Sequence, residues 1–266
     1  MRTGRLAGKI AIVVGAGQVP GDTIGNGRAT AERFGEEGAT LLLVDINEQW
    51  AEATRAAVAK YGGQASVLRA DITREEDCAA IAKVCVERYG RIDILHNNVG
   101  RSKGDRKTAE MDAAVWDEVM AMNLKGMFMT CKHVLPHMVA QGSGCIVNVS
   151  STASLAARPS VTYKTSKGAV NTMTQHIAIE NAAHGVRANV ILPGLIDTPM
   201  AIERRAQERG VSKNVIRAER ESLVPMRRMG TAWDVANAAV FLASDEACYI
   251  TGVLLPVDGG LLEKRG

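Results

Sequence analysis

Short apolar, β-branched runs separated by amphipathic stretches of helical period constrain this chain more than any other feature. The runs cover 9–14, 40–44, 65–70, 92–96, 145–149, 186–192 and 252–256. Helical spacing of apolar residues fills 27–37, 48–61, 75–89, 112–140, 161–183 and 232–243. Strict alternation of strand and helix implies right-handed crossovers, hence a parallel sheet covered by helices on both faces. The 266 residues contain no linker rich in Pro, Gly or Ser, no repeat and no low-complexity tract, so one α/β domain over 1–266 is expected.

Composition excludes several classes of function. The net charge of +3 is too small to argue for nucleic acid, and 4% aromatic residues leave few stacking platforms. The five cysteines, Cys78, Cys85, Cys131, Cys145 and Cys248, show no metal-ligand spacing and read as small core residues in a reducing compartment. No metal is expected. The start of the chain reaches a strand and a glycine turn almost at once, without a signal peptide, and no apolar run is long enough to span a membrane. A cytoplasmic protein is expected.

The first strand-to-helix connection reads Val14-Gly15-Ala16-Gly17, then 18–24, then Gly25-Asn26-Gly27. Glycines let backbone turn sharply and approach a pyrophosphate, while the helix opening near Gly27 offers free N–H groups and a positive dipole end. The spacing matches a dinucleotide fingerprint only if 18–24 is an insertion. Asp45 ends the second strand, where a carboxylate can accept both adenosine ribose hydroxyls and repel a 2′-phosphate. That favours NAD(H) over NADP(H); the plainer alternative is an Asp capping the next helix. Three later connections also follow strands. Asp71-Ile72 could face an adenine, and Asn97-Asn98-Val99-Gly100 could line the cofactor. After the sixth strand come Pro193, Gly194, Ile196 and Thr198, where a backbone amide and the Thr198 hydroxyl could hold a nicotinamide carboxamide.

The fifth strand runs into Ser150 and Ser151, and Tyr163-Lys164-Thr165-Ser166-Lys167 follows. On a helix from about 161, Tyr163 and Lys167 stand one turn apart on one face. An ammonium beside a phenol favours the phenolate, which makes Tyr163 a usable acid/base near neutrality. Ser150 could hydrogen-bond the same substrate oxygen. Alone, such a pair is also an ordinary helical neighbour pair.

With these motifs together, and with Asn123 in Met-Asn-Leu-Lys-Gly and Val257-Asp258-Gly259-Gly260 near the end, the chain resembles the short-chain dehydrogenase/reductase family over essentially its whole length. The resemblance implies a doubly wound Rossmann fold with a seven-stranded parallel sheet, a nicotinamide cofactor and a catalytic group of Asn123, Ser150, Tyr163 and Lys167. In family terms Tyr163 exchanges the proton with the substrate oxygen and Ser150 polarises that oxygen. Lys167 lowers the tyrosine pKa and binds the nicotinamide ribose, and Asn123 holds a relay water. Two departures stand out. Val14 replaces the usual Thr, and 18–24 lengthens the glycine turn, so that Gly15, Gly25 and Gly27 take the three glycine roles and Asp22 is expected to face solvent. A divergent branch of enoyl reductases also has an altered turn, but its Tyr and Lys are spaced more widely than here.

Segment 196–228 corresponds to the family's mobile lid. It holds eight basic residues (Arg204, Arg205, Arg209, Lys213, Arg217, Arg220, Arg227, Arg228) against five acidic ones. With Arg101, Lys103, Arg106 and Lys107 opposing Asp105, and Arg158 near the substrate's path, these suggest an anionic substrate or a solvated helical surface laced with ion pairs. Methionines 111, 120, 122, 127, 129 and 138 give 112–140 surplus apolar surface, which with the apolar face of 161–183 suits a subunit interface, and the family is commonly tetrameric. The leading expectation is an NAD-dependent oxidoreductase of a polar secondary alcohol, with or without an anionic group. The alternatives are a 3-oxoacyl-carrier-protein reductase and, in another class, a non-catalytic dinucleotide-binding sensor.

Overall fold

A computed structural model describes residues 4–156 and 160–264. Seven strands form one sheet: β1 (Ile10–Val14), β2 (Thr40–Asp45), β3 (Gln64–Arg69), β4 (Ile94–Asn97), β5 (Gly144–Val149), β6 (Val186–Pro193) and β9 (Leu254–Val257). Between β6 and β9 lie the two-residue strands β7 (Ile196–Asp197) and β8 (Gly230–Thr231), which pair with each other. The helices are α1 (Asn26–Glu36), α2 (Glu48–Ala59), α3 (Glu75–Tyr89), α4 (Ala113–Met120), α5 (Gly126–Gln141), α6 (Val161–Asn181), α7 (Pro199–Arg209), α8 (Lys213–Leu223) and α9 (Ala232–Ala243). The strand order is β3-β2-β1-β4-β5-β6-β9, parallel throughout.

Successive side chains of a strand face opposite sides of the sheet, and both sides are apolar here because both are covered. Ile12, Val14, Leu42 and Val44 pack with Cys78, Ile81, Met129, Val134 and Ile177 from α3, α5 and α6. Ala11, Val13, Leu41 and Leu43 pack with Phe34, Val58, Val235 and Val240 from α1, α2 and α9. The chain therefore winds one way from β1 and the other way from β4, which opens a crevice between their C-terminal ends.

Four differences separate the structure from the sequence expectations. The single helix expected over 112–140 is broken by a π turn at Ala121–Lys125, which turns Asn123 inward. Helices α7 and α8 were not expected as separate elements. Their surfaces are so densely charged that only Pro199, Ile202 and Ala206 on α7 and Ile216 on α8 are buried. Cys248 is exposed, whereas the other four cysteines are buried. Met127, Met129 and Met138 fill the core rather than an outer face, and the large exposed apolar residues of α5 and α6 are Phe128 and Ile179.

Candidate active site

A cavity of about 630 Å³ occupies the crevice, a size ordinary for a small-molecule site. Gly15, Gly25, Asn26, Gly27, Asp45, Asp71, Ile72, Asn98, Gly100, Pro193, Gly194, Ile196 and Thr198 all line it, as do Ser150, Tyr163 and Lys167. Asn97 does not. Strand alternation turns its side chain into the interior, where Nδ2 donates to Asn148 Oδ1 at 2.9 Å and Oδ1 accepts from Thr130 Oγ1 at 3.0 Å.

At one end of the cavity, β1 turns into α1 through a connection that tolerates no side chain at Gly15 or Gly27. Gly15 has φ of +78°, and a Cβ on Gly27 would lie 1.9 Å from the Gly15 carbonyl oxygen. Sequence reading gave the middle glycine role to Gly25, but a Cβ there would meet only the flexible Gln18 side chain at 3.3 Å. The tighter position is Gly17, where a Cβ would lie 2.7 Å from Trp50 Cβ and 2.9 Å from Asp45 Oδ2. The insertion follows Gly17, so the turn itself keeps its tight pair and the extra residues leave toward α7. Asp45 accepts from the Gly17 amide on Oδ2 and from the Asn47 amide on Oδ1, both at 2.9 Å. A carboxylate has about four lone-pair sites, so two acceptor positions remain.

Asp22, in the insertion, is exposed and pairs with Lys213 of α8 at 2.7 Å. Lys213 also reaches Glu203 of α7 at 3.0 Å, Glu203 accepts from the Asp22 amide, and Thr23 Oγ1 donates to Asp197. Asp197 in turn pairs with Arg217 at 2.7 Å. Most cations of 196–228 are thus held in ion pairs, with Arg209 on Glu219 and Arg204 near Glu208 as well. Arg204, Arg205 and Arg220 line the cavity. Arg158 lies outside the described residues.

The other end of the cavity is built by β5 and α6. Lys167 is fully buried, its Nζ donating to Val149 O at 2.8 Å and Val99 O at 3.3 Å, and lying 6.0 Å from the centre of the Tyr163 ring. Burial disfavours the ammonium and pulls the Lys167 pKa from 10.5 down to about 7. Gly100 leaves room for that amine, since a Cβ there would lie 2.8 Å from Nζ. The Ser150 hydroxyl donates to Lys167 O at 2.9 Å, tying β5 to α6. Asn123 is buried beside the cavity rather than lining it. Its Nδ2 donates to Arg101 O and to Ser166 Oγ, and its Oδ1 accepts from Arg101 N at 2.8 Å.

A family model described as Enoyl-(Acyl carrier protein) reductase matches residues 22–262. The chain is 38% identical over 255 residues to 2-(R)-hydroxypropyl-CoM dehydrogenase of Xanthobacter autotrophicus, covering 94% of this chain and 97% of that protein. A crystal structure of a short-chain dehydrogenase/reductase from Burkholderia xenovorans superposes with a TM-score of 0.94 at 39% identity, covering 99% of this chain and 100% of the other. The crystal structure of NAD+-bound xylitol dehydrogenase gives a TM-score of 0.88 at 32% identity, covering 96% and 99%. With its doubly wound parallel sheet and its Tyr163 and Lys167 one helical turn apart, this chain belongs to the short-chain dehydrogenase/reductase family, oxidoreductases that act on CH–OH donors.

Proposed function

We propose that this protein is an NAD-dependent oxidoreductase interconverting a polar secondary alcohol and its ketone, working as one NAD-binding unit over 1–266 with 196–228 as its lid. The observation that carries the reading is one cavity with Asp45 and the glycine turn at one end and Ser150, Tyr163 and Lys167 at the other.

The residues present fit a dinucleotide. The close approach of Gly15 and Gly27 leaves bare backbone where a pyrophosphate would lie, at the N-terminus of α1. Asp45 has acceptor positions left for ribose hydroxyls and a charge that opposes a 2′-phosphate. Asp71 and Ile72 would flank the adenine. Asn98 and Gly100 would line the middle of the cofactor, with Asn26 and Gly25 beside the phosphates. Pro193, Gly194, Ile196 and Thr198 would hold the carboxamide, and Tyr163 and Lys167 the nicotinamide ribose. When bound, the nicotinamide supplies hydride transfer at the substrate carbon.

The chain's own part is proton transfer and orientation. Tyr163 gives or takes the proton at the substrate oxygen, and Ser150, once its hydroxyl turns from Lys167 O, donates to that oxygen and holds it in place. An amine titrating near pH 7, as at Lys167, can pass a proton onward at cellular pH. Asn123, clamped on the Arg101 backbone and Ser166, positions the relay behind it. Neither a metal nor nucleic acid takes part in this scheme.

The secondary alcohol named in the Xanthobacter relative supports this substrate class. The cavity-lining Arg204, Arg205 and Arg220 would meet an anionic group on the substrate, should it carry one. The exposed Phe128 and Ile179 support assembly of a homotetramer through α5 and α6. Among the described residues no helix is long and apolar enough to cross a membrane, and we place the enzyme in the cytoplasm. A 3-oxoacyl-carrier-protein reductase is the second reading, opposed by Asp45 because biosynthetic reductases of that kind usually take NADPH.

Fluorescence titration with NADH and NADPH tests the reading, followed by a panel of polyols, hydroxy acids, sulfonates and acyl thioesters. The Tyr163→Phe variant should lose nearly all turnover and still bind NADH. A preference for NADPH with acyl thioesters selects the carrier reductase. Binding of NADH without turnover of any panel member selects a sensor.

A further inference from the structure

Resting on that reading, we infer that Asp105, in the loop after β4, is a positioning residue for Tyr163: its carboxylate anchors the first turn of α6 and so fixes the root of the acid/base. A helix start leaves backbone N–H groups without intrahelical partners. The residue that should cap α6 is Ser160, and among the described residues its side chain makes no capping bond. Asp105 supplies the cap from far away in the chain. Its Oδ1 accepts from Thr162 N at 3.1 Å and its Oδ2 from Tyr163 N at 2.7 Å, while Arg106 O accepts from Val161 N at 3.2 Å. One loop thus takes the first three amides of the catalytic helix. An ionised acceptor at a helix N-terminus also meets the positive end of the dipole, which shortens and strengthens such bonds.

This loop is no ordinary cap, because several of its other contacts lead to the active site. Its Arg101 backbone clasps Asn123 through two bonds, of 2.8 and 2.9 Å. Its Ser102 Oγ accepts from Arg204 Nη2 of α7 at 3.2 Å, and Asp105 N donates to Ser102 O. Gly104, at φ +82°, turns the loop so that Asp105 points back, and a Cβ there would lie 2.9 Å from Val115 Cγ1. Asp105 itself borders the cavity. The Tyr163 side chain leaves the backbone one bond from the amide that Asp105 holds. Losing that hold loosens the phenol without touching Asp45 or the glycine turn. Misplacing a catalytic group by about 1 Å costs turnover on the order of 100-fold.

The test compares wild type, Asp105→Ala and Asp105→Asn by NADH titration and by steady-state kinetics on the alcohol selected from the panel. In Asp105→Ala, kcat should fall about 10- to 100-fold while NADH affinity and the alcohol KM stay within about threefold. Asp105→Asn keeps a side-chain oxygen that can cap one amide and should recover kcat to within about fivefold of wild type. In a Tyr163→Phe background the Ala substitution should cost nothing further, since it acts through the tyrosine. The inference is overturned by an Asp105→Ala kcat within twofold of wild type, by a loss that tracks falling NADH stoichiometry, or by full additivity with Tyr163→Phe. If wild type binds NADH yet turns over nothing, the proposed function fails by itself. The anchor is then read by amide hydrogen exchange: about tenfold faster exchange at Thr162 and Tyr163 in Asp105→Ala, reversed in Asp105→Asn, supports it, and unchanged exchange refutes it.

Discussion

Replacing Lys167 with Met should change the pH dependence of stability in a direction and amount that the burial of this amine dictates. The side chain is fully buried and its pKa falls from 10.5 to about 7. A native group that releases its proton more readily than the unfolded chain makes the unfolded state bind more protons, so stability rises with pH between those two values. Below about pH 7 the whole penalty of holding the ammonium out of water applies, which at 1.36 kcal/mol per pKa unit is about 5 kcal/mol. It is about 4 kcal/mol at pH 7 and about 2 kcal/mol at pH 9, and it vanishes above the unfolded pKa. Lys167→Met removes this term and leaves the Val149 and Val99 carbonyls without their donor, a cost of about 1–3 kcal/mol each that does not vary with pH. The sign of the stability change at one pH is therefore uninformative, but its slope is diagnostic. Wild type should gain about 2 kcal/mol on the variant between pH 7 and pH 9. The buried cysteines, with Cys78 and Cys85 pushed up to about 12, titrate alike in both proteins and cancel in the difference. Urea unfolding followed by circular dichroism, without cofactor and at one protein concentration, measures the gap at both pH values. A gap constant to about 0.5 kcal/mol would refute the desolvated amine, and with it the proton-passing role built on it.

Two further substitutions probe the other end of the cavity. Asp45→Asn keeps an acceptor for the Gly17 or Asn47 amide but removes the charge. NADPH affinity should rise relative to NADH by about tenfold or more in fluorescence titration, and an unchanged ratio would sink the assignment of Asp45. Lys213→Ala unties the insertion from α8 and leaves only the Asp22 amide on Glu203 of α7, so NADH should dissociate a few-fold faster in stopped flow at low salt. Because the cluster is exposed, the difference should disappear near 1 M salt; a salt-independent difference would mean that the contact acts by packing instead.

What could be read from the sequence, and what could not, divides along a physical line. Runs such as Ile10–Val14 and Thr40–Asp45 are apolar on both faces because both faces are covered, so the order of strands and helices was visible in the residues themselves. Gly15 and Gly27 were legible because a turn with positive φ and a 1.9 Å approach admits no other residue. Asp45, Tyr163 and Lys167 were legible because short stretches fix their places at a strand end and on one helix face. By contrast, the direction of Asn97 depends on where β4 begins, and a shift of one residue in that start reverses which asparagine meets the cavity. Helix α8 buries only Ile216, so no run of core residues marked it as an element of the fold. The long-range polar contacts were the least accessible of all. No local pattern tells that the carboxylate meeting the α6 amides belongs to Asp105, or that Lys213 and Arg217 are held by Asp22, Glu203 and Asp197 rather than left for a substrate. The surplus of basic residues in 196–228 therefore says little by itself about what the enzyme binds. A charge counts toward recognition only after its partners inside the fold are known, and here the partners of Lys213 and Arg217 join the insertion after the glycine turn to α7 and α8.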